Sequence, residues 1–295
     1  MATFNMMIGP AGCGKSTCAE KLWNYNLDME IISSDAIREE LYGDASTQGD
    51  PKEVFATMQW RAMELIEEGI SVIYDATNLT YNNRKAILDK VKSKAYCNAF
   101  IVATPIETIF HQNENRNRVV PKEVIINQLK HFEMPTYEEG FDSIIIIDDA
   151  GTVPVFNEFV KMIDFNQDNQ YHSLTLDRHC IAAYVNIKTD EFWLKQAALL
   201  HDYGKLYTKT FYTLKGEKTE DAHYYNHQNI GSYLSLSMDM LHNRDDQIKT
   251  AIAICYHMQP FFSKTEKSIN KWKARLGEEM WNSILLLHKA DVEAH

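Results

Sequence analysis

The sequence predicts a two-domain protein: an α/β domain with a parallel sheet covered by helices on both faces, then an all-α domain. Two patterns predict the fold. Up to about residue 150, short apolar runs alternate with helical stretches, the pattern of βα units. From about Leu174 onward the apolar spacing is mainly helical. Histidine marks the same division, since nine of the eleven histidines follow residue 150 and only His111 and His131 precede it.

In chain order, Phe4–Ile8 reads as a buried strand running into a glycine-rich loop, and residues 15–25 as the helix after it. Glu30–Ser33 is a second strand, and Asp35 opens a second helix. Asp50-Pro51 reads as an N-cap followed by proline at the first helical position, so a helix runs to about Glu68. Ser71–Tyr74, Asn98–Val102 and Ile144–Ile147 are three further strands. Pro121 starts a helix that ends near Met134-Pro135. Asp148-Asp149-Ala150-Gly151 closes the last strand, giving domains 1–150 and 151–295. In the second domain, Ala197–Leu200, Tyr233–Met240, Ile248–Ile254 and Ile284–Leu287 read as pieces of buried helix.

The chain has 295 residues, 45% of them apolar, enough for full cores. No apolar run approaches the roughly 20 residues of a bilayer span, and Met1–Met7 lacks the features of a signal peptide. Five cysteines without a CxxC pair argue against a disulfide framework. The expected location is the cytoplasm, that of the host for a phage protein. Oligomerisation has no support. The net charge of −11 gives no support to a large nucleic-acid footprint. Any polynucleotide contact is local, such as a strand end. The run Lys264, Lys267, Lys271, Lys273 and Arg275 reads as a solvated helix face.

Two motifs carry chemistry. Gly9-Pro10-Ala11-Gly12-Cys13-Gly14-Lys15-Ser16-Thr17 fits the P-loop template between a strand and a helix. Its glycines turn N–H groups towards phosphate oxygens, Lys15 reaches the β- and γ-phosphates, and Ser16 holds Mg²⁺. Cys13 reads as a small packing residue within that loop. Asp35 suits proton abstraction from an attacking hydroxyl and Arg38 the acceptor's phosphate; the same spacing also fits an N-cap and its i,i+3 partner. Asp75-Ala76-Thr77-Asn78 suits a Walker-B role or support of a basic side chain. Arg116 and Arg118, just before Pro121, suit a lid over a triphosphate or a polar surface loop.

These pieces resemble the phage-type polynucleotide 5′-kinases: Gly9–Thr17, Ser34-Asp35 with Arg38, Asp75–Asn78, and Arg116-Asn117-Arg118-Val119-Val120-Pro121. The resemblance covers the whole first domain. It implies ATP or another nucleoside triphosphate with Mg²⁺, Asp35 as general base, Arg38 on the acceptor phosphate, and Arg116 as the lid arginine. Gln112 stands where the family often has a lid arginine, which leaves the choice between Arg116 and Arg118 open.

The second motif is dispersed. His179, His201-Asp202, His227, His257 and Asp291 are spread as ligands from several helices would be, and this donor mixture suits borderline or hard divalent metals. His223 and His227 are spaced to share a helix face. With Gly204-Lys205 and His223-Tyr224-Tyr225-Asn226-His227, the set resembles the HD superfamily of metal-dependent phosphohydrolases over about residues 165–295. That resemblance implies a first metal on His179, His201, Asp202 and Asp291, drawn from Mn²⁺, Ni²⁺, Fe²⁺, Co²⁺, Zn²⁺ or Mg²⁺. It implies a second metal or the phosphate on His227 and His257. Lys205, with Lys209 assisting, would stabilise phosphate charge. His172 is a looser candidate.

Kinase and hydrolase signatures on one chain suggest a bifunctional enzyme that heals RNA or DNA ends. It would phosphorylate 5′-hydroxyls and remove 3′-phosphates, in some cases after opening a 2′,3′-cyclic ester. Two alternatives keep the same motifs: a small-molecule kinase joined to a nucleotidase, and a noncatalytic nucleotide-gated sensor.

Overall fold

The computed structural model describes residues 1–116, 118–170, 173–239 and 243–294. The chain divides into two compact units, Met1–Ile125 with Pro135–Asp149, and Ile126–Met134 with Ala150–His295.

The first unit contains β1 (Ala2–Ile8), α1 (Lys15–Tyr25), β2 (Met29–Ser33), α2 (Ser34–Tyr42), α3 (Pro51–Glu67), β3 (Ser71–Asp75), α4 (Tyr81–Val91), β4 (Ala95–Val102), α5 (Ile106–Glu114) and, after α6 (Lys122–Lys130), β5 (Ser143–Ile147). The strands form one sheet in the order β2-β3-β1-β4-β5, with every neighbour parallel. The central strand β1 is apolar because helices cover both faces, and Phe4, Met6, Met7 and Ile8 are fully buried. Asp50 caps α3 as expected, its Oδ1 accepting from Lys52 N at 2.9 Å, with Pro51 first in the helix.

The sequence pattern did not reveal α4 or α5, because each buries a polar side chain on its apolar stripe. In α4 the polar residue is Arg84, whose guanidinium is fully enclosed. It donates to both Glu139 carboxylate oxygens at 2.8 and 2.7 Å, and to the Asn78 and Leu79 carbonyls. In α5 it is Asn113. Helix α6 stops at Lys130, four residues short of Met134, where the backbone folds into turns at His131 and Phe132. Ile126–Met134 belongs to the second unit, a grouping of which residues 121–135 carry no sign in their sequence pattern.

The second unit runs β6 (Val153–Pro154), α7 (Val155–Val160), α8 (Leu176–Asn186), α9 (Phe192–Leu200), a 3-10 turn at Tyr203–Tyr207, β7 (Thr210–Tyr212), β8 (Lys218–His223), α10 (His227–Ser235), β9 (Met238–Asp239), α11 (Arg244–Tyr256), α12 (Gln259–Phe262), α13 (Glu266–Leu276) and α14 (Glu278–Val292). It is mainly helical but not all-α. An antiparallel hairpin joins β7 to β8, and β6 pairs with β9. The hairpin escaped the sequence pattern because Lys218–His223 is a mostly polar strand with no apolar alternation. The helix expected over Tyr233–Met240 ends at Ser235. The hydroxyls of Ser235 and Ser237 bond back to the carbonyls of Ser232 and Leu234, and Met238 turns into β9; Met240 lies outside the described residues.

Candidate functional site

Chemistry-bearing residues gather in each unit at the ends of its secondary elements. In the first, the loop between β1 and α1 rises from the C-terminal edge of the sheet, where open α/β sheets bind ligands. Gly9 has φ 155°, and a Cβ there would lie 2.6 Å from Cys13 Sγ, so only glycine fits the turn. Gly12 (φ 83°) backs directly onto Asn113 and the Ile109 carbonyl of α5. Gly14 (φ 96°) leads into α1, whose first turn carries no acidic side chain and is open to an anion. Cys13 is buried, and its carbonyl accepts from Thr104 Oγ1 at 2.9 Å. Thr17 is exposed in the first turn of α1. Lys15 Nζ donates to the Pro10 carbonyl at 2.8 Å, which holds the amine over the loop. Ser16 Oγ donates to Asp75 Oδ2 at 2.9 Å, the hydroxyl–carboxylate pair that holds Mg²⁺ in P-loop enzymes. Burial raises the Asp75 carboxyl above its usual range, opposed by the Lys15 charge and the Ser16 hydrogen bond.

Asp35 and Arg116 both act on Asp75 through space, so they face the same end of the sheet. Ser33, not Asp35, caps α2: its Oγ accepts from the Asp35 backbone N–H. That leaves the Asp35 carboxylate half exposed and paired with Arg38 Nη1 at 2.7 Å. Arg38 is nearly covered, and its buried Nε has no hydrogen-bond partner. Arg118 is spent elsewhere, donating to the Ala45 and Ser46 carbonyls after α2. Asn113, which sequence reasoning missed, closes the base of the loop before Pro121 by exchanging hydrogen bonds with Val120 at 2.7 and 2.9 Å. Asn117 lies outside the described residues.

In the second unit, His179 comes from α8, His201 and Asp202 from the end of α9, His227 from the start of α10, His257 from the end of α11 and Asp291 from α14. Their side chains converge. His179 Nε2 is 3.0 Å from Asp291 Oδ1 and 3.3 Å from His201 Nε2, and both imidazoles lie 3.4 Å from Asp202 Oδ2. The other Asp202 oxygen faces His227 Nε2 at 3.0 Å and His257 Nε2 at 3.8 Å. Each histidine's Nδ1 meets a backbone carbonyl, of Ala294, Ala198, Tyr224 and Ile254 respectively, at 2.8–2.9 Å. A carbonyl only accepts, so each Nδ1 carries hydrogen and each Nε2 lone pair points inward. Four imidazole lone pairs and two carboxylates around one centre fit a divalent metal, and the donor atoms fall into triads spanning less than 4.8 Å.

The electrostatics of the bare cluster agree. Burial lowers the basicity of His179 and His201, but Asp202 and Asp291 overcome it and raise both above the usual imidazole range. Burial resists ionisation of Asp202, yet Lys205 and the imidazoles hold its carboxyl well below the usual range. His257, buried beside two other imidazoles, is pushed down to about 3. In the bare cluster the extra positive charge thus falls on His179 and His201, beside the ionised carboxylates of Asp202 and Asp291, while His257 stays neutral.

Lys205, expected to stabilise phosphate charge, has its buried Nζ 2.6 Å from Asp202 Oδ2 and 2.8 Å from Gln167 Oε1, so it helps to orient that carboxylate. Lys209 is held by the Asn166 carbonyl and Asp168 Oδ2, both at 2.6 Å. His223 does not share a helix face with His227. It ends β8 and stacks on Tyr225, because Asn226, at φ 60°, turns the chain before α10 begins. His172 lies outside the described residues.

Gly204 sets the distance between these elements. A Cβ there would lie 2.0 Å from the His227 carbonyl and 2.8 Å from Gly231 N, so the 3-10 turn packs backbone-to-backbone on α10. Gly204→Ala is expected to displace His227 from Asp202, lowering stability by about 1–3 kcal/mol and reducing bound metal. Thermal unfolding and metal analysis check this; unchanged values for both contradict it.

A parallel sheet, a glycine loop with its lysine and a Ser–Asp pair define a nucleotide-binding P-loop phosphotransferase fold. Residues 5–135 match the AAA domain family, and a kinase relative at 30% identity shows that this chain belongs to the P-loop kinases. A shikimate kinase of Vibrio cholerae is 30% identical over 171 residues, 54% of this chain and 93% of that protein. An L-seryl-tRNA(Sec) kinase of Methanococcus maripaludis is 24% identical over 170 residues, 55% of this chain and 66% of the relative. A chain of a solved Pnkp1/Rnl/Hen1 RNA repair complex aligns at 18% identity and a TM-score of 0.41, over 44% of this chain and 43% of that one. The chain thus spans just under two thirds of the seryl-tRNA kinase and under half of the repair-complex chain. ATP and Mg²⁺ are the cofactors that the P-loop kinase family implies. Among the described residues, no helix is long and apolar enough to cross a membrane.

Proposed function

We propose that this protein heals nucleic-acid ends, phosphorylating 5′-hydroxyls in its first unit and removing 3′-phosphates in its second. One observation carries the reading: the chain joins a P-loop kinase to a second, separate cluster whose inward-facing imidazoles and carboxylates suit phosphate-ester hydrolysis. An enzyme that adds phosphate at one strand end and removes it at the other needs both.

In the first unit, the loop amides, Lys15 and Arg116 hold the triphosphate, and Ser16 with Asp75 holds Mg²⁺. Asp35 accepts the proton of the attacking hydroxyl, and Arg38 grips the phosphate that follows it. In the second unit, a divalent cation would neutralise phosphate charge and acidify water. His179, His201, Asp202 and Asp291 hold it, with His227 and His257 lining the other side of Asp202. Lys205 fixes the Asp202 carboxylate.

The shikimate-kinase likeness favours a second reading, a small-molecule acceptor. The test is labelled ATP offered with a 5′-hydroxyl, 3′-phosphate oligonucleotide, with nucleosides and with shikimate, over a panel of divalent metals. We expect label on the oligonucleotide and release of its 3′-phosphate. Transfer only to small molecules would remove nucleic acid from the kinase reaction.

A further inference from the structure

The ligand cluster has a rim that the proposed chemistry does not use. Helix α12 follows His257 directly and carries two exposed aromatics, Phe261 and Phe262, 39% and 72% exposed. His288 lies on α14 one turn before Asp291, so the two share a helix face. Its ring meets Phe261 edge-to-face, with centroids 4.2 Å apart and planes at 84°. Unlike the Nδ1 atoms of the four clustered histidines, the buried Nδ1 of His288 has no hydrogen-bond partner among the described residues. A buried polar atom without a partner beside a candidate active site points to a ligand group that completes it. Lys264 is exposed, and no carboxylate pairs with it among the described residues. Lys264 stands two residues past the end of α12. Burial first, and the Lys264 charge after it, lower the basicity of His288 against the pull of Asp291. Elsewhere in the basic run, Lys273 and Arg275 are already paired with Glu278 and Glu133.

We propose that Phe261, Lys264 and His288 seat the nucleoside that carries the scissile phosphate. Phe261 stacks on the base, while Lys264 and His288 contact phosphate oxygens. The proposal rests on the phosphohydrolase reading and gives it a substrate class: a 3′-phosphorylated nucleotide, free or at a strand end. The pairing of an aromatic face with a cation is the one that holds single-stranded nucleotides. A phosphate ester without a base would gain nothing from the ring.

The test compares the full-length wild type with Phe261→Ala, Phe261→Tyr and Lys264→Ala. Hydrolysis is followed for a 3′-phosphorylated oligonucleotide, a nucleoside 3′-monophosphate and glycerol phosphate, with Mn²⁺ present. Binding is measured separately, by fluorescence anisotropy of labelled oligonucleotides with 3′-phosphate and 3′-hydroxyl ends. We expect Phe261→Ala to raise KM for the nucleotide substrates about tenfold or more, without changing metal content or glycerol phosphate turnover. Phe261→Tyr should restore binding. Lys264→Ala should abolish the preference for the 3′-phosphate end. An effect confined to the oligonucleotide assigns strand ends, and an equal effect on the mononucleotide assigns free nucleotides; either supports the seat. Unchanged KM and unchanged anisotropy in Phe261→Ala overturn it. Weakened binding in that variant, with no ester hydrolysed by the wild type, would support the seat and sink the phosphohydrolase reading instead.

Discussion

Asp202→Ala is expected to strip the second unit of its metal and of all phosphate release, while phosphoryl transfer continues. Asp202 belongs to both halves of the cluster. Its Oδ2 faces His179, His201 and Lys205, and its Oδ1 faces His227 and His257. No other ligand has both donor atoms engaged in this way among the described residues. The substitution also removes the carboxylate 2.6 Å from the buried Lys205 ammonium. Breaking a buried ion pair by removing one partner costs about 3–5 kcal/mol, so thermal unfolding should shift down as well. Asp202→Asn separates the two effects, because it keeps the shape and a hydrogen-bond acceptor but removes the charge. Metal per chain, 3′-phosphate release and unfolding temperature are the measurements. Wild-type metal content with full hydrolysis in Asp202→Ala would reject the site. Chelation of the wild type should reproduce the loss of hydrolysis, with recovery when metal is restored.

Asp35→Asn should lower the turnover of phosphoryl transfer about 10²–10⁴-fold and leave ATP affinity unchanged. The fold tolerates this change. The cap at the start of α2 uses the backbone N–H of residue 35 and the Ser33 hydroxyl, so the helix keeps its first turn. The carboxylate is half exposed and held by Arg38, which leaves it accessible to an incoming hydroxyl. A base that acts only on the acceptor contributes nothing to holding the donor, hence the expected split between turnover and ATP binding. Labelled transfer to the oligonucleotide and to shikimate, beside calorimetric ATP titration, decides the matter. Wild-type transfer rates in Asp35→Asn would remove Asp35 from the chemistry and leave it as a partner for Arg38.

The parallel sheet and its loop were legible in the sequence because their signals are local. A strand buried on both faces is mostly apolar, and the turn at Gly9 tolerates no Cβ, so both write themselves into consecutive residues. The histidines and carboxylates of the second unit were legible as residue types, since few other roles require so many buried imidazoles. Their convergence was not legible, because it depends on five helices meeting.

What sequence alone determined is therefore the class of residues: a phosphate-binding loop, an acid–arginine pair, and a set of histidines and carboxylates suited to a metal. Only tertiary structure decided that Arg118 is engaged by the Ala45 and Ser46 carbonyls, more than seventy residues away in sequence. It also decided that Lys205 pairs with Asp202, that His223 ends β8 and stacks on Tyr225 instead of joining the His227 helix, and that Gly204 lets two backbones touch. The physical reason is the same in each case. A hydrogen bond or a close contact depends on distance in space, and spacing along the chain encodes that distance only within one helix, strand or turn.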